Sequence, residues 1–161
     1  MRDLIAFTGL SGVGKDEASK PLLALGYKRH AFGNIIKHQL DELIQKHFGF
    51  SAFTEDRTQK AKIRRTLEHW GEDNYDAILD EFMATLPEKA VNTRLVRVKE
   101  AAKWVGKGGI IVEVVRPGLE PATQWEVDRM QELTASGLIR CTVINSGTPQ
   151  DLHAEILRIS S

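Results

Sequence analysis

The 161-residue sequence has one cysteine, few aromatic residues and no net charge. The cysteine count and the charge balance each argue against a class of protein. The single cysteine, Cys141, cannot form an intrachain disulfide, so we expect a reducing, cytoplasmic environment and a buried thiol on a strand. Twenty-two basic residues balance twenty-two acidic ones, so no overall field favours nucleic acid or an anionic membrane as a partner. No apolar run approaches about eighteen residues, so no membrane span is predicted. The N-terminus also lacks the pattern of a signal peptide.

What the sequence does contain is an alternation of short apolar runs and amphipathic stretches. The apolar runs predict strands at residues 4–7, 30–32, 90–91, 110–115 and 139–144. The amphipathic stretches predict helices at 15–26, 35–48, 55–70, 75–86, 96–105, 123–133 and 149–159. This alternation predicts a single α/β domain over residues 1–161, with a three-layer, open, mainly parallel sheet of about five strands and helices on both faces.

Three residues mark where helices are expected to begin, bend or end. Pro21 should kink or shorten the first helix, because an interior proline costs about 3 kcal/mol. Gly26 is a good left-handed residue for ending that helix. Thr148 is expected to cap the last helix, with Pro149 at its first position.

One motif carries chemistry. Residues 9–16 read Gly-Leu-Ser-Gly-Val-Gly-Lys-Asp, which is the pattern G-x-x-x-x-G-K placed after a predicted strand and before a predicted helix. We call these residues the phosphate loop. Their main-chain amides are expected to hold the phosphates of ATP, and the side chain of Lys15 is expected to reach the β- and γ-phosphates. The predicted ATP-binding residues are Ser11, Gly12, Val13, Gly14, Lys15 and Asp16.

Asp16 stands where this motif usually has a serine or threonine that ligates Mg²⁺. Two interpretations stay open with equal weight. Asp16 either serves as a metal ligand, directly or through water, or is only an acidic residue that suits the first turn of a helix.

The motif and the missing motifs together favour a small phosphotransferase. The Asn-Lys-x-Asp and Asp-x-x-Gly signatures of GTPases are absent, and the chain is too small for helicase-like or AAA-type ATPases. Such an enzyme needs cations at the carboxyl ends of its strands. Arg94 and Arg116 follow predicted strands there, whereas Arg129 lies on the predicted helix after the Pro117-Gly118 hinge. Glu113, in the middle of a strand, is expected to be a paired structural residue rather than a functional carboxylate.

The sequence resembles the bacteriophage-type deoxynucleoside monophosphate kinases over most of its length. The resemblance is carried by short motifs in the same order along both chains. They are the phosphate loop ending in Gly14-Lys15-Asp16, Ala31-Phe32-Gly33 with Lys37, Arg64-Arg65-x-Leu67-x-x-x-Gly71-x-Asp73, Asn92-Thr93-Arg94 followed by Glu100-Ala101-Ala102, Val114-Val115-Arg116-Pro117-Gly118, and Asn145-x-Gly147.

The resemblance implies a role for each matching residue. It implies that ATP with Mg²⁺ phosphorylates a (deoxy)nucleoside monophosphate to the diphosphate, in the cytoplasm of a host cell if the chain is phage-encoded, and that the enzyme is a homodimer. The implied catalytic residues are Lys15, Arg94 and Arg116. The acceptor-binding residues are Lys37, Arg65 and Arg94, and the lid spans about residues 117–135 and uses Arg116 and Arg129. Asp16 remains the candidate metal ligand from its chemistry, as above. Asn92 departs from the family, which has an aspartate there, so a carboxylate role in metal binding or acceptor activation does not transfer. The region between the charged helix and Asn92 is also shorter than in the family, so base specificity does not transfer.

Two other functions remain open at this point. One is another small-molecule kinase of the dephospho-coenzyme A, shikimate or phosphomevalonate type, which would share the loop and the lid but not the acceptor pocket. The other is a nucleotide-binding module without catalysis. Trp125, within the predicted lid, is either a packing residue or a platform that stacks on a base.

Overall fold

The computed structural model describes residues 3–161 and divides into two compact units. The first unit comprises the chain up to His30 together with Leu86–Ser161, and the second comprises Ala31–Thr85. Strands of the first unit are β1 (Leu4–Thr8), β2 (Lys28–Arg29), β3 (Ala90–Asn92), β4 (Ile110–Val115) and β5 (Cys141–Ile144). Its helices are α1 (Lys15–Ala24), α5 (Val98–Gly106), α6 (Gln124–Ser136) and α7 (Pro149–Ser160), and the second unit holds α2 (Phe32–Phe48), α3 (Arg57–Asp73) and α4 (Tyr75–Ala84).

The five strands form one parallel sheet in the order β2-β3-β1-β4-β5. β1 lies at the centre, with Ile5 opposite Val91 on one side and opposite Ile110 on the other. Helices cover both faces, so the predicted fold class is confirmed. Because all strands run in one direction, their carboxyl ends share one edge of the sheet, which is where ligands bind in such folds.

The core of the first unit explains why β1 and β4 are nearly continuous apolar runs. Alternate residues of these strands, such as Phe7 and Val112, pack with Leu22 of α1 and Ile156 of α7. Trp104 of α5 is fully buried and donates a hydrogen bond from its indole nitrogen to the carbonyl of Ile110 at 3.2 Å. Within the described residues, no helix is long and apolar enough to cross a membrane.

The second unit has its own small core of three helices. The ring of Phe32 lies 5.4 Å from that of Tyr75 and 6.0 Å from that of Phe82. Helices α2 and α3 approach closely at Gly71, where an added Cβ would lie 2.7 Å from the Cδ1 of Ile36. The glycine of the Gly-x-Asp motif in the sequence therefore serves packing between helices.

The predicted strand at residues 30–32 is wrong. The second strand lies earlier, at Lys28–Arg29, and Phe32 already begins α2. β2 is an edge strand with exposed side chains, held by main-chain bonds such as the one from the amide of His30 to the carbonyl of Val91. Apolar periodicity cannot reveal a strand of this kind, because its charged side chains face water and protect the edge.

The remaining predictions concern the end of the first helix, the start of the last helix and the burial of Cys141. The first helix runs through Pro21 to Ala24, so the proline does not end it, and Gly26 follows with the predicted positive φ of 86°. The predicted cap of the last helix is confirmed, since the Thr148 side chain accepts a bond from the amide of Asp151 and Pro149 opens α7. Cys141 lies on β5 but is only half-buried, and this burial raises the pKa of its thiol.

Candidate active site

The phosphate loop begins where β1 ends, and its first glycine is required by the sheet. Gly9 has a φ of 130°, and a Cβ at this position would lie 2.3 Å from the carbonyl oxygen of Val114 on β4. An L-residue strains the backbone at such a φ, and here it would also collide with main chain. The loop is therefore seated directly against the neighbouring strand.

The last glycine of the loop is fixed by a side chain from far along the sequence. Gly14 has a φ of 102° and caps α1, and its added Cβ would lie 2.6 Å from the Nδ2 of Asn145. That amide nitrogen donates a hydrogen bond to the carbonyl of Val13 at 2.9 Å. The sequence predicts Asn145 only as part of the Asn145-x-Gly147 motif, and its support of the loop was missed.

Lys15 is folded back onto its own loop. Its Nζ donates to the carbonyl oxygens of Gly9 and Leu10, both at 2.7 Å. Burial lowers the pKa of Lys15 and the positive charge of Arg94 adds to that effect, whereas the carboxylates of Glu126 and Asp16 act in the opposite direction. A half-buried lysine beside a nest of main-chain amides is suited to bind an anion.

Asp16 meets the chemical requirement for Mg²⁺ only with help from a ligand. Its side chain is 76% exposed at the start of α1, and Arg29 donates to its carboxylate at 3.2 Å. Among the described residues, no cluster of three metal-ligating side chains exists. Mg²⁺ commonly takes one or two carboxylates and completes its shell with substrate phosphates and water, so a single accessible carboxylate beside the loop fits the ion.

A cavity of about 470 Å³ opens at this edge of the sheet. Three cations reach it from separate elements: Lys15 from α1, Arg94 from the segment after β3, and Arg129 from α6. The full lining is Gly9, Ser11, Gly12, Gly14, Lys15, Asp16, Thr93, Arg94, Val96, Trp125, Glu126, Arg129 and Met130. Five of the six predicted ATP-binding residues line this cavity; Val13 is buried beneath them.

Arg94 is positioned by a side chain two residues before it. Asn92 is only 3% exposed at the end of β3, and its Oδ1 accepts a hydrogen bond from the amide of Arg94 at 2.8 Å. This local turn directs the chain after the strand toward the cavity. Asn92 therefore serves the geometry of the site through its amide group.

Glu126 is the site residue that sequence reasoning missed. Its Oε1 accepts a hydrogen bond from the amide of Ser11 at 2.9 Å and a shorter one from the Ser11 hydroxyl. Its Oε2 accepts from the amide of Ala122 at 2.8 Å. These bonds, with the Ser11 hydroxyl foremost, hold the pKa of Glu126 below its usual value. The Thr123-x-x-Glu126 spacing is the only sequence signal here, and it indicates a helix start.

Arg129 lies one turn after Glu126 and brings an incompletely satisfied cation to the cavity. Its NH1 donates to Glu132 at 2.7 Å, and its guanidinium lies 5.4 Å from the ring centre of Trp125. Its Nε is buried and has no hydrogen-bond partner among the described residues. Trp125 itself is 46% exposed and lines the cavity, so it is not a packing residue of the core.

Comparison with known proteins places this geometry in a known fold. No family model and no curated protein sequence match the chain. The structure is similar to dephospho-CoA kinase from Campylobacter jejuni, with a TM-score of 0.55 and 14% identity, covering 99% of this chain and 96% of that one. It is also similar to shikimate kinase from Acinetobacter baumannii in complex with shikimate, with a TM-score of 0.56 and 16% identity, covering 99% and 93%. The chain has the P-loop kinase fold.

Other predicted residues of this P-loop kinase fold lie outside the cavity of the phosphate loop. Arg116 is exposed at the end of β4 and lines an adjoining, more apolar cavity of about 590 Å³. Lys37 and Arg65 belong to the second unit, on α2 and α3, where the Nζ of Lys37 lies 5.6 Å from the ring centre of Phe53. Glu113 accepts a hydrogen bond from the Thr142 hydroxyl at 3.0 Å, so it is paired as expected.

Proposed function

We propose that the protein is an ATP-dependent phosphotransferase that converts a (deoxy)nucleoside monophosphate to the diphosphate. The observation that carries the proposal is the convergence of Lys15, Arg94 and Arg129 on one cavity floored by the phosphate loop. Phosphoryl transfer requires little covalent chemistry from a protein, because catalysis depends mainly on positioning and on stabilising charge. Three cations around a nest of amides supply both.

The reaction is a direct in-line transfer. An oxygen of the acceptor phosphate attacks the γ-phosphorus of ATP, the bond from that phosphorus to the bridging oxygen breaks, and ADP leaves. The acceptor is already largely ionised at neutral pH, since the second pKa of a phosphate monoester is about 6, so no general base is needed. Lys15 offsets charge on the β- and γ-phosphates, Arg94 holds the acceptor phosphate, and Arg129 faces the transferred group.

Mg²⁺ would be held by Asp16 together with the phosphates, and when bound it neutralises charge on the transferring group. For Asp16 to serve in this way, its carboxylate must be shared with or released by Arg29, which now holds it at 3.2 Å. Arg29 thus keeps the carboxylate at the mouth of the cavity. The role of Arg116 belongs to the lid, and closure of residues 117–135 would carry its guanidinium from the adjoining cavity toward the phosphates.

The resemblance to the phage-type kinases and the need to bind a second anion support this choice of acceptor. Lys37 and Arg65, on the second unit, match the positions that hold the acceptor in that family. The solved structures with the same fold act on other small molecules, by their names dephospho-CoA and shikimate. Both compounds therefore belong in the test of the acceptor.

The decisive experiment is an acceptor panel with Mg²⁺-ATP, read out as ADP release. The panel holds the deoxynucleoside and ribonucleoside monophosphates, dephospho-CoA and shikimate. We expect turnover of at least one deoxynucleoside monophosphate, and a loss of about 10²-fold or more in Lys15→Ala, because a preorganised charge is removed from the reacting phosphates. Lys107→Ala, at an exposed lysine just after α5, is the matched control and should behave as wild type.

The other outcomes separate the alternatives. Turnover of dephospho-CoA or shikimate, with none of the nucleotides, would replace the acceptor and keep the phosphotransferase. Calorimetric binding of ATP without turnover of any acceptor would identify a non-catalytic module. Failure to bind ATP at all in the presence of Mg²⁺ would discard the proposed function.

A further inference from the structure

Two helices of the first unit begin with a threonine and an acidic residue three positions later, but the two carboxylates behave differently. In α7, the Oδ2 of Asp151 accepts bonds from both the amide and the hydroxyl of Thr148, at 2.8 and 2.7 Å. That carboxylate is used entirely within its own helix start. In α6, Thr123 accepts from the amide of Glu126, but the Glu126 side chain does not return to Thr123 in the same way.

Helix capping explains the contact of only one of the two oxygens of the Glu126 carboxylate. Its Oε2 accepts from the amide of Ala122 at the helix start, whereas its Oε1 reaches the amide of Ser11, 115 positions away in the sequence. A capping box needs no such partner. The Oε1 of Glu126 places a negative charge on the Ser11 amide of the phosphate loop. Main-chain amides of this kind are the donors that bind phosphate oxygens.

Several groups of the phosphate loop are thus paired with partners from within the chain. Glu126 takes the amide and hydroxyl of Ser11, and the carbonyls of Gly9 and Leu10 take the ammonium of Lys15. The Glu126 charge also favours the protonated form of Lys15, as a bound phosphate would. In this arrangement, one carboxylate stands in for part of the ligand.

A polyphosphate entering the loop would meet this carboxylate at close range. Two charges of the same sign at such a distance repel, and the repulsion is stronger near a protein surface than in bulk water. Glu126 can leave the loop without unfolding the sheet, because residues 120–125 before it are exposed. Its other bonds, from the Ala122 amide to its side chain and from its own amide to Thr123, are local to the helix start. Leu133, further along α6, is fully buried and anchors the helix.

We infer that Glu126 is an internal competitor of the nucleotide phosphates, a lid-borne carboxylate that holds the phosphate loop until polyphosphate displaces it. The inference rests on the proposed function only in requiring that polyphosphate be the ligand of the loop. Its consequence is that phosphate binding releases the start of α6. Arg129, three positions after Glu126, is then free to turn further into the cavity.

Binding of inorganic tripolyphosphate to the full chain, measured by calorimetry with Mg²⁺ present, tests the competition. Glu126→Gln keeps the shape and hydrogen-bonding ability of the side chain but removes its charge, so tripolyphosphate and ATP should bind about tenfold more tightly. Adenosine, which has no phosphate, should bind equally to both proteins. Glu120→Gln is the matched control, because it removes the same charge from an exposed position of the lid segment and should match wild type.

The direction of the change in tripolyphosphate affinity in Glu126→Gln decides whether Glu126 competes with the ligand. Weaker or unchanged tripolyphosphate binding in Glu126→Gln, in a protein whose melting temperature is preserved, would overturn the competition and leave the proposed function standing. If neither protein binds tripolyphosphate or ATP, the proposed function fails and the inference fails with it. If only Glu126→Gln binds, the competition is supported in its strongest form.

Release of the helix start has its own readout in Trp125, next to Glu126. The difference in emission between wild type and Trp125→Phe isolates this residue from the other two tryptophans. In the wild-type background, tripolyphosphate should change this Trp125 emission. In the Glu126→Gln background, where Trp125→Phe is added to Glu126→Gln for the same subtraction, the Trp125 emission should already be altered before ligand is added. An identical Trp125 signal in wild type with and without saturating tripolyphosphate would overturn the release.

Discussion

The phosphate loop and residues 117–135, the lid segment, line the same cavity but are held in place differently. The loop is fixed from several sides by the close approach of Gly9 to β4 and by the bond from Asn145 to Val13. The first part of the lid segment is exposed, and an added Cβ at Gly118 would meet nothing within 4 Å. Its polar link to the loop is the contact of Glu126, and Leu119 adds an apolar contact, with its Cδ2 3.8 Å from the Cβ position at Gly12.

This difference separates a preorganised part from an exchangeable one. A main-chain nest that is already shaped loses little entropy when a phosphate binds, so it favours affinity. A segment attached by hydrogen bonds that a ligand can replace is suited to move and to exclude water during transfer. The structure thus sets a fixed, amide-lined region beside a region that is attached partly through hydrogen bonds.

The largest effect should come from exchanging glycine for alanine in the two regions. Gly9→Ala must force β1 and β4 apart, because its Cβ would lie 2.3 Å from a main-chain oxygen, so we expect loss of measurable ATP binding. Gly118 has a φ of 80° but open space around it. Gly118→Ala should therefore lower the free energy of unfolding by about 1–2 kcal/mol and leave the affinity for ATP unchanged. Calorimetry and thermal melting measure both quantities.

Equal ATP affinities in these two variants would remove the distinction between a rigid loop and a loosely held lid. Circular dichroism should accompany the measurement. It shows whether Gly9→Ala has lost only the loop or the whole sheet, and only the first case supports a local role for the glycine.

An intermediate effect should distinguish the strand-borne arginine from the lid arginine. Arg94→Ala removes a cation that Asn92 positions beside the loop, so it should raise the acceptor KM and lower kcat, with ATP affinity little changed. Arg116→Ala removes a group that reaches the phosphates only after closure, so it should lower kcat alone, by about 10²- to 10³-fold. Steady-state kinetics with the acceptor found in the panel measures both.

Arg116→Ala with wild-type turnover would remove Arg116 from the reaction. Unchanged acceptor kinetics in Arg94→Ala would remove that arginine from the acceptor site. Arg94→Lys is a useful companion variant, since it keeps the charge but loses the planar fork that binds a phosphate through two bonds.

The smallest effect should come from the helix caps behind the two regions. Thr148 caps α7, whose Leu152 lies within 3.8 Å of the Cβ position at Gly14, and Thr148→Ala should lower the free energy of unfolding by about 1 kcal/mol. Thr123 caps the exposed start of α6, so Thr123→Ala should fray that start and affect global stability less. Chemical denaturation with amide hydrogen exchange separates the two, and a larger global loss for Thr123→Ala would contradict the comparison.

The sequence alone determined those features whose causes lie within a few residues. β4 was predicted at its observed bounds because its apolar run is closed by glycines before it and by Pro117 after it. The phosphate loop and the cap at Thr148 were likewise readable, because glycine spacing and turn chemistry act locally. The order of strands and helices predicted a parallel sheet, and from that sheet Arg94 was expected at the shared edge.

Only the tertiary structure decided the features that depend on residues far apart in the chain. Asn145 reaches Val13 across 132 positions and Glu126 reaches Ser11 across 115, and no periodicity links such pairs. The edge strand at Lys28–Arg29 exists because β3 offers it main-chain partners, whereas its own side chains favour water. Local patterns encode where the backbone can turn, but which side chain completes a turn depends on packing, and packing is decided by the whole fold.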